Sequence, residues 1–366
     1  MTSLKRSNRI FAIDLGDLYL KFLFVENNRA VLWGKEELNV IFWRRPMEHL
    51  WELVQDSFLS WKEKEEGTVV LGFSPSFLKA RKANQALERT APQTEITKDE
   101  ANALTKEFEK RLVENSLEAL EPQSGIRKED VLLERFSVLE RKIDGYPVPV
   151  LEGYKGRVVE FQGLGVFLLR SHKDMLNYMR SQYKLGIPLL SHTTESVFLF
   201  AKEKKIDGVF VDIGDSKTSL TLVMSEKLVF TDEIPSGGDN FTGVLARTLG
   251  MKQNIAREFK EKYVQGELSE DLRSRMRELF LPEAKNFSTL IEERLKNAGL
   301  NISCPVFLFG GGALLAEVKE SLEEENRSIS LLLPKDVLPL ENFPASMNAQ
   351  YTPLVLELYH AQQKTL

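Results

Sequence analysis

Residues 211–231 read VDIGDSKTSLTLVMSEKLVFT: an apolar run ending in Asp-x-Gly, a polar turn, and two further apolar runs separated by Ser225-Glu226. The same pattern opens the chain, 198 residues earlier, the separation between Asp14 and Asp212. DLGDLYLKFLFVENNRAVLW (14–33) lies over DIGDSKTSLTLVMSEKLVFT (212–231) without a gap, and Asn27-Asn28 lies over Ser225-Glu226. Short apolar runs joined by a two-residue polar break are the signal of a β-hairpin. The chain therefore carries one strand-turn-hairpin unit twice.

Working outward, each copy reads as a βββαβ unit. In the first, a strand over 10–14 leads into a hairpin of 18–25 and 30–33. PMEHLWELVQDSFLSW (46–61) has helical spacing, with Pro46 in the tolerated first turn, and GTVVLGF (67–73) is a buried strand. In the second, GVFVDIG, TSLTLVM and KLVFTDEI give the three strands, helix begins in FTGVLARTLG, and CPVFLFGG (304–311) is the later strand before the helix LLAEVKESLEEE. Helix-rich sequence, 254–299, is inserted before that last strand.

The first copy has its own insert, about 74–170. Thr97 and Glu100 form a capping box ahead of a long helix whose Ala101, Leu104, Phe108 and Leu112 share one face. LLERFSVLERKIDGYPV is a strand turned at Asp144-Gly145, and RVVEFQGLGVFLLR is another. Ser171 is the expected cap of the helix HKDMLNYMRSQYKLG, and LEALEPQSGIRKED (117–130) is an expected loop. The insert is a small α+β module.

Composition bounds the function. At 366 residues the chain suits two domains. Charged residues are 28% and hydrophobic residues 42%, and the formal net charge is −5 from 49 basic and 54 acidic residues. That balance argues against a nucleic-acid partner, which calls for a basic footprint. No apolar run approaches the roughly 18 residues that span a bilayer. Asp14, Asp17 and Lys21 interrupt the only signal-like stretch. The single Cys304 excludes internal disulfides and fits a reducing cytoplasm.

The duplicated turn has a chemical use. Glycine lets a ligand approach the backbone, successive N–H groups make an anion-binding concavity, and an Asp at the strand end can hold hydrated Mg²⁺. Two such turns facing each other would hold a triphosphate from both sides. Gly310-Gly311-Gly312, between a buried strand and a helix, allows a flat ring or ribose against the backbone. Read singly, each is a tight turn; the gapless repetition is what favours a site.

These motifs resemble the actin-like ATPase superfamily, and the second half is similar to its FtsA/PilM branch. VDIGDSKTSLTLVMSEKLVFTDEIPSGGDNFTGVLARTLG runs like the second phosphate hairpin and the Ile-Pro-x-Gly-Gly segment, NIAREFKEKY like the Ala-Glu-x-x-Lys helix, and FLFGGGALLAEV like the adenosine-side glycine motif. SHTTESVFLFAKEKKIDG falls at the interlobe helix, and the insert resembles the SHS2-type subdomain. The resemblance implies an α/β, actin-like (ribonuclease H-like) two-lobed fold from a duplicated βββαβ unit, with an α+β SHS2-type insert in the first lobe. Expected boundaries are 1–73 and 171–192 for the first lobe and 74–170 for the insert. The second lobe covers 193–335, with a helical insert at about 238–300, and 336–366 packs back on the first lobe.

The resemblance implies ATP and Mg²⁺ as cofactors. Asp14, Gly16 and Lys21 belong to the first phosphate turn, and Asp212, Gly214, Ser216 and Thr218 to the second, with Asp14 and Asp212 at the metal. Gly237 and Gly238 start the nucleotide-side wall of the second lobe, Lys260 reaches the nucleoside, and Gly310, Gly311 and Gly312 line the adenosine. Asp212 and Glu195 stand at the catalytic positions, Glu195 where a polar residue orients a water. Its plainer reading is an exposed glutamate in the first turn of a helix, where negative charge is favourable. The pattern departs at Asp17-Leu18-Tyr19 and at Asp215 and Lys217, which replace small residues, and at Arg257, which stands where a ribose-binding glutamate is expected. At most a weak ATPase follows.

Functionally the resemblance implies a scaffold at the inner face of the membrane. The first reading is an FtsA-like division protein, self-associating into a filament or ring with a tubulin-like partner. The alternative is a PilM-like type IV pilus assembly protein that binds the cytoplasmic tail of a membrane pilus component. A superfamily sugar kinase is the third reading. In each scaffold reading membrane association is peripheral, through the partner.

Overall fold

The computed structural model describes residues 9–38, 67–75, 78–124, 127–183, 189–299, 304–323 and 328–365. The helix expected over 46–61 lies outside them. The chain divides into two compact units, Met1–Ser76 with Met179–Leu366, and Phe77–Tyr178. In chain order the first unit opens with β1 (Arg9–Leu15), β2 (Tyr19–Glu26), β3 (Arg29–Glu37) and β4 (Thr68–Phe73). Next come β5 (Leu78–Glu88), α1 (Lys98–Ser124), β6 (Val131–Ile143), β7 (Tyr146–Pro147), β8 (Val158–Leu169) and α2 (Arg170–Tyr183). β9 (Leu189–Ser191) and α3 (Thr193–Lys204) lead into β10 (Gly208–Ile213), β11 (Thr218–Met224) and β12 (Lys227–Ile234). Then follow α4 (Gly238–Leu249), α5 (Gln253–Gln265), α6 (Glu270–Asn297), β13 (Val306–Phe309) and α7 (Ala316–Glu323). β14 (Ile329–Leu331), α8 (Pro334–Val337) and α9 (Thr352–Thr365) complete the chain.

Two five-stranded sheets carry the first unit, ordered β3-β2-β1-β4-β9 and β12-β11-β10-β13-β14. They are the same sheet built twice. Asp14 pairs with Lys21 across β1 and β2, as Asp212 pairs with Ser219 across β10 and β11. The ladder shifts between Phe24 and Val25, and again between Leu222 and Val223, at the same offset. Both hairpins turn through two residues with positive φ, Asn27 (49°) and Asn28 (64°), then Ser225 (49°) and Glu226 (62°). Such turns match the twist of the flanking strands, and asparagine tolerates the left-handed region better than serine or glutamate. The fold class read from the sequence is the one observed.

The central strands β1 and β10 are buried almost throughout, each flanked by strands on both sides and packed under helices. In the second lobe the helical insert supplies the cover. Phe280 and Phe287 of α6 pack edge-on against Phe241 of α4, with ring centroids 5.6 and 6.5 Å away, over Val211 and Leu220. Each such fully buried apolar side chain contributes about 1.5–3 kcal/mol. The cover of the first sheet comes from the far end of the chain. Leu354, Val355, Leu356 and Leu358 of α9 are fully buried, and the helix packs on β1, β4 and α3. His360 Nδ1 lies 2.9 Å from Ser191 Oγ, and the Tyr359 ring meets Phe200 at 5.7 Å. No helix among the described residues is long and apolar enough to cross a membrane.

The second unit is a sheet ordered β5-β8-β6-β7 with α1 against it. Phe108 of α1 stacks on Phe161 at 5.0 Å. Gly163 admits that ring, since a Cβ there would lie 2.6 Å from it. Asp144 (φ 50°) and Gly145 (φ 85°) make the turn that the sequence predicts. Three local expectations change. The Glu100 N–H does bond to Thr97 Oγ1 (3.2 Å), but the Glu100 carboxylate holds Arg89 at 2.7 Å, so half of the capping box is spent on a tertiary ion pair. The expected loop at 117–130 is helical as far as Ser124, because Leu117, Glu118, Ala119 and Leu120 are strong helix formers. Ser171 lies inside α2, which starts at Arg170, and does not cap it.

Candidate functional site

The two glycine turns are built identically. Gly16 N–H donates to Tyr19 O at 3.0 Å, and Gly214 N–H donates to Lys217 O at 2.9 Å. In both, a Cβ would lie 2.9 Å from that same carbonyl oxygen, so a larger residue would open the turn. Both turns border one cavity of about 300 Å³ within the first unit. Of the residues singled out by sequence, Asp14, Gly16, Lys21, Asp212, Gly214, Gly238, Lys260, Gly310, Gly311 and Gly312 line it.

The remaining expected residues have other places. Thr218 is fully buried, and its hydroxyl donates to Ser236 O at 2.8 Å, which ties β11 to the start of α4. Gly237 packs under the second turn: a Cβ there would lie 2.6 Å from Asp215 O and 2.7 Å from Gly214 O. It supports the wall without lining it. Ser216 donates its hydroxyl to Asp17 Oδ2, across from one turn to the other. Glu195 is 7% exposed in the first turn of α3 and does not line the cavity. The exposed glutamate of the plainer reading is therefore corrected to a buried one. Thr193, two residues earlier, is the one that reaches the cavity, and its hydroxyl bonds to Asp212.

The floor of the site is a knot of charge. Lys21 Nζ bonds to Asp14 Oδ2 at 2.6 Å. Burial works against the lysine charge, but Asp14, Asp212 and Glu357 outweigh it and hold the ammonium above its ordinary pKa. Asp212 is pushed up to about 7, by burial first and by Asp14 second. Glu357, from α9, is 1% exposed and raised well above the carboxylate range by burial and then by Asp14, and its Oε2 has no hydrogen-bond partner among the described residues. Three carboxylates thus surround one ammonium, and protons on Asp212 and Glu357 relieve the excess negative charge. Gly72 makes this possible: a Cβ there would lie 1.5 Å from Glu357 Oε1.

The walls span both lobes. Tyr19 of β2 donates its hydroxyl to Glu261 of α5 at 2.5 Å, and burial followed by that bond raises its pKa. Lys35 Nζ stands 3.7 Å over the Tyr19 ring and 3.3 Å from Gln350 Oε1. Arg257 lies 3.8 Å from Glu37 of β3, so the residue that departs from the family pattern ties one lobe to the other. Lys260 donates to Gly238 O at 2.7 Å, and burial lowers its pKa. Sequence reading placed Tyr19 in the first turn but missed Lys35, Ser74, Thr193 and Glu261 as site residues. Only position at a helix start marks Thr193; nothing local marks the other three.

A nucleotide fits these residues. Among the described residues nothing lies within 4 Å of where a Gly311 Cβ would stand, so a flat ring can lie on that backbone. Gly310 (φ 85°) holds the strand end in a conformation that favours glycine. A protein-held metal fits less well. Among the described residues no group of three or more His, Cys, Asp or Glu is placed to hold one, and Lys21 already engages Asp14. A Mg²⁺ held jointly by Asp14 and Asp212 would have to displace that ammonium.

A chain from a solved PilM–PilN type IV pilus biogenesis complex superposes with a TM-score of 0.68 at 16% identity, over 96% of this chain and 98% of that one. The ethanolamine utilization protein EutJ from Carboxydothermus hydrogenoformans superposes with a TM-score of 0.52 at 13% identity, over 95% and 89%. No family model and no curated protein matches the sequence. At these identities the likeness is one of fold, and the fold is the two-lobed actin-like one.

Proposed function

We propose that this chain is a nucleotide-binding scaffold of type IV pilus assembly, which grips the cytoplasmic tail of a membrane pilus protein. The observation that carries the reading is the near-complete superposition on a chain of the PilM–PilN complex, which covers 96% of this chain and so includes the inserted unit as well as the two sheets. It supports the pilus reading over the division-type reading placed first by sequence.

The nucleotide is proposed to sit with its phosphates on the Gly16 and Gly214 turns and its nucleoside on Gly310 to Gly312. Facing glycine turns with matching hydrogen bonds support this placement. Any Mg²⁺ is proposed to arrive with the phosphates and to meet Asp212 through water, since Mg²⁺ keeps several waters when it binds. Hydrolysis is not part of the proposal, because Glu195, the residue expected to position a water, is not among those that line the cavity. Self-association is proposed as ring-forming and secondary to the partner.

The test is affinity capture of partners from detergent-solubilised native membranes, followed by binding of the synthetic tail peptide to the purified chain. Recovery of a membrane pilus protein whose isolated tail binds supports the reading. Recovery of a tubulin-like protein instead returns the division reading, and recovery of neither removes the scaffold reading.

A further inference from the structure

The cavity holds a carboxylate in the space between its two glycine turns. Asp17 lies within the first turn, and its Oδ1 accepts the hydroxyl of Ser74 at 2.6 Å. Ser74 is fixed at the end of β4, where its N–H donates to Leu15 O at 2.8 Å. The other oxygen, Oδ2, accepts the hydroxyl of Ser216 from the second turn. One charged group is thus bonded by hydroxyls from both lobes, which is what an anionic phosphate oxygen set between two such turns would do.

Among the described residues, three of the four lysines that line the cavity, Lys21, Lys35 and Lys260, are held by other groups. Lys21 is bonded to Asp14 and not to Asp17. Lys260 is bonded to Gly238 O, and Lys35 is engaged by Gln350 and the Tyr19 ring. Asp17 also raises the pKa of both Asp212 and Asp215, so its negative charge is felt on both sides of the second turn. A terminal phosphate brought there would meet like charge with its hydroxyl donors already taken.

We infer that Asp17 stands in for the terminal phosphate of a nucleoside triphosphate, so that the cavity takes a nucleoside with two phosphates or fewer and the lobes are joined there without a third. This rests on the nucleotide reading above. The residue that departs from the family pattern is then a specificity-determining one.

The experiment uses the full chain and its Asp17→Ala variant, with Asp17→Asn as the second variant should the alanine form not fold. Thermal melting is followed against inorganic phosphate, and calorimetric titration against Mg-ADP and Mg-ATP. The wild type is expected to bind ADP at least about tenfold tighter than ATP, a difference readily resolved by titration, and to ignore phosphate. Asp17→Ala is expected to gain melting temperature with phosphate, since a ligand of the folded state stabilises it, and to lose or reverse the ADP preference. ATP bound as tightly as ADP by the wild type, or an unchanged ratio together with no phosphate response in the variants, overturns the inference. If neither form binds nucleotide while phosphate still stabilises Asp17→Ala, the nucleotide reading falls and the role of Asp17 stands. If neither nucleotide nor phosphate acts on any form, both fall.

Discussion

Replacing Gly72 by alanine tests the contact that closes the first lobe. The added Cβ would lie 1.5 Å from Glu357 Oε1, 1.8 Å from Cδ and 2.1 Å from Oε2. Ordinary contacts between heavy atoms fall near 3.5–4.0 Å, so the carboxylate must withdraw by about 2 Å. It has nowhere to go: Glu357 is 1% exposed, and its neighbours Leu356 and Leu358 are fully buried. In an open strand, Gly→Ala would be neutral or stabilising, because glycine weakens a strand. Here overpacking sets the sign, and the expected cost is at the upper end of about 1–3 kcal/mol. At about 2–4 °C per kcal/mol, the melting temperature should fall by about 6–12 °C. The assay is urea denaturation of Gly72→Ala, Glu357→Ala and the double variant. Removing the Glu357 side chain makes room for the alanine, so the pair should be coupled by about 1–3 kcal/mol, with the double variant more stable than the sum of the singles implies. A Gly72→Ala cost below about 0.5 kcal/mol, or costs that simply add, would falsify the packing of α9 on β4.

Two further outcomes follow from buried charge. Asp212, pushed up to about 7, and Glu357, raised well above the usual range, keep protons in the folded chain that the unfolded chain has given up. Protons bound in excess by the folded state make this contribution to stability fall as pH rises from about 4 through 7. Glu357→Gln carries no such proton, so its stability relative to wild type should rise with pH across that window in denaturation series. A difference that stays constant or shrinks with pH refutes the assignment. In the second unit, Arg89 has a fully buried side chain bonded to both Glu100 oxygens (2.7 and 2.9 Å), to Gly156 O (2.9 Å) and to Thr94 O (3.1 Å). Arg89→Met should destabilise that unit by about 3 kcal/mol, the low end for breaking a buried pair, because Glu100 regains water. Hydrogen exchange on the β5 and α1 amides would read it, and protection unchanged from wild type would contradict it.

Much of the fold was legible because its signals are local. The hairpins announce themselves by alternation and by Asn27-Asn28 and Ser225-Glu226, and the 198-residue offset carries over even to the position of the ladder shift. The glycine turns and Gly310 to Gly312 were readable for the same reason: a backbone that must bend or leave room says so in its residue types. Reading failed where a short polar pattern has a tertiary competitor. Glu100 looked like the second half of a capping box, and Arg89 took it.

The sequence by itself determined two copies of one βββαβ unit and the residues at which each copy turns. Only the tertiary structure decided which charges meet. Asp17 finds Ser74 and Ser216, 57 and 199 positions away, and Glu357 comes from the last helix to lie beneath Asp14 and Lys21. Periodicity records whether a residue faces the core or the solvent, since that depends on its own strand or helix. Which lysine neutralises which carboxylate depends on the distance between side chains on separate elements, and the charge interaction changes steeply with that distance and with burial. A local pattern carries neither, so the chemistry of this cavity became visible only when the chain was folded.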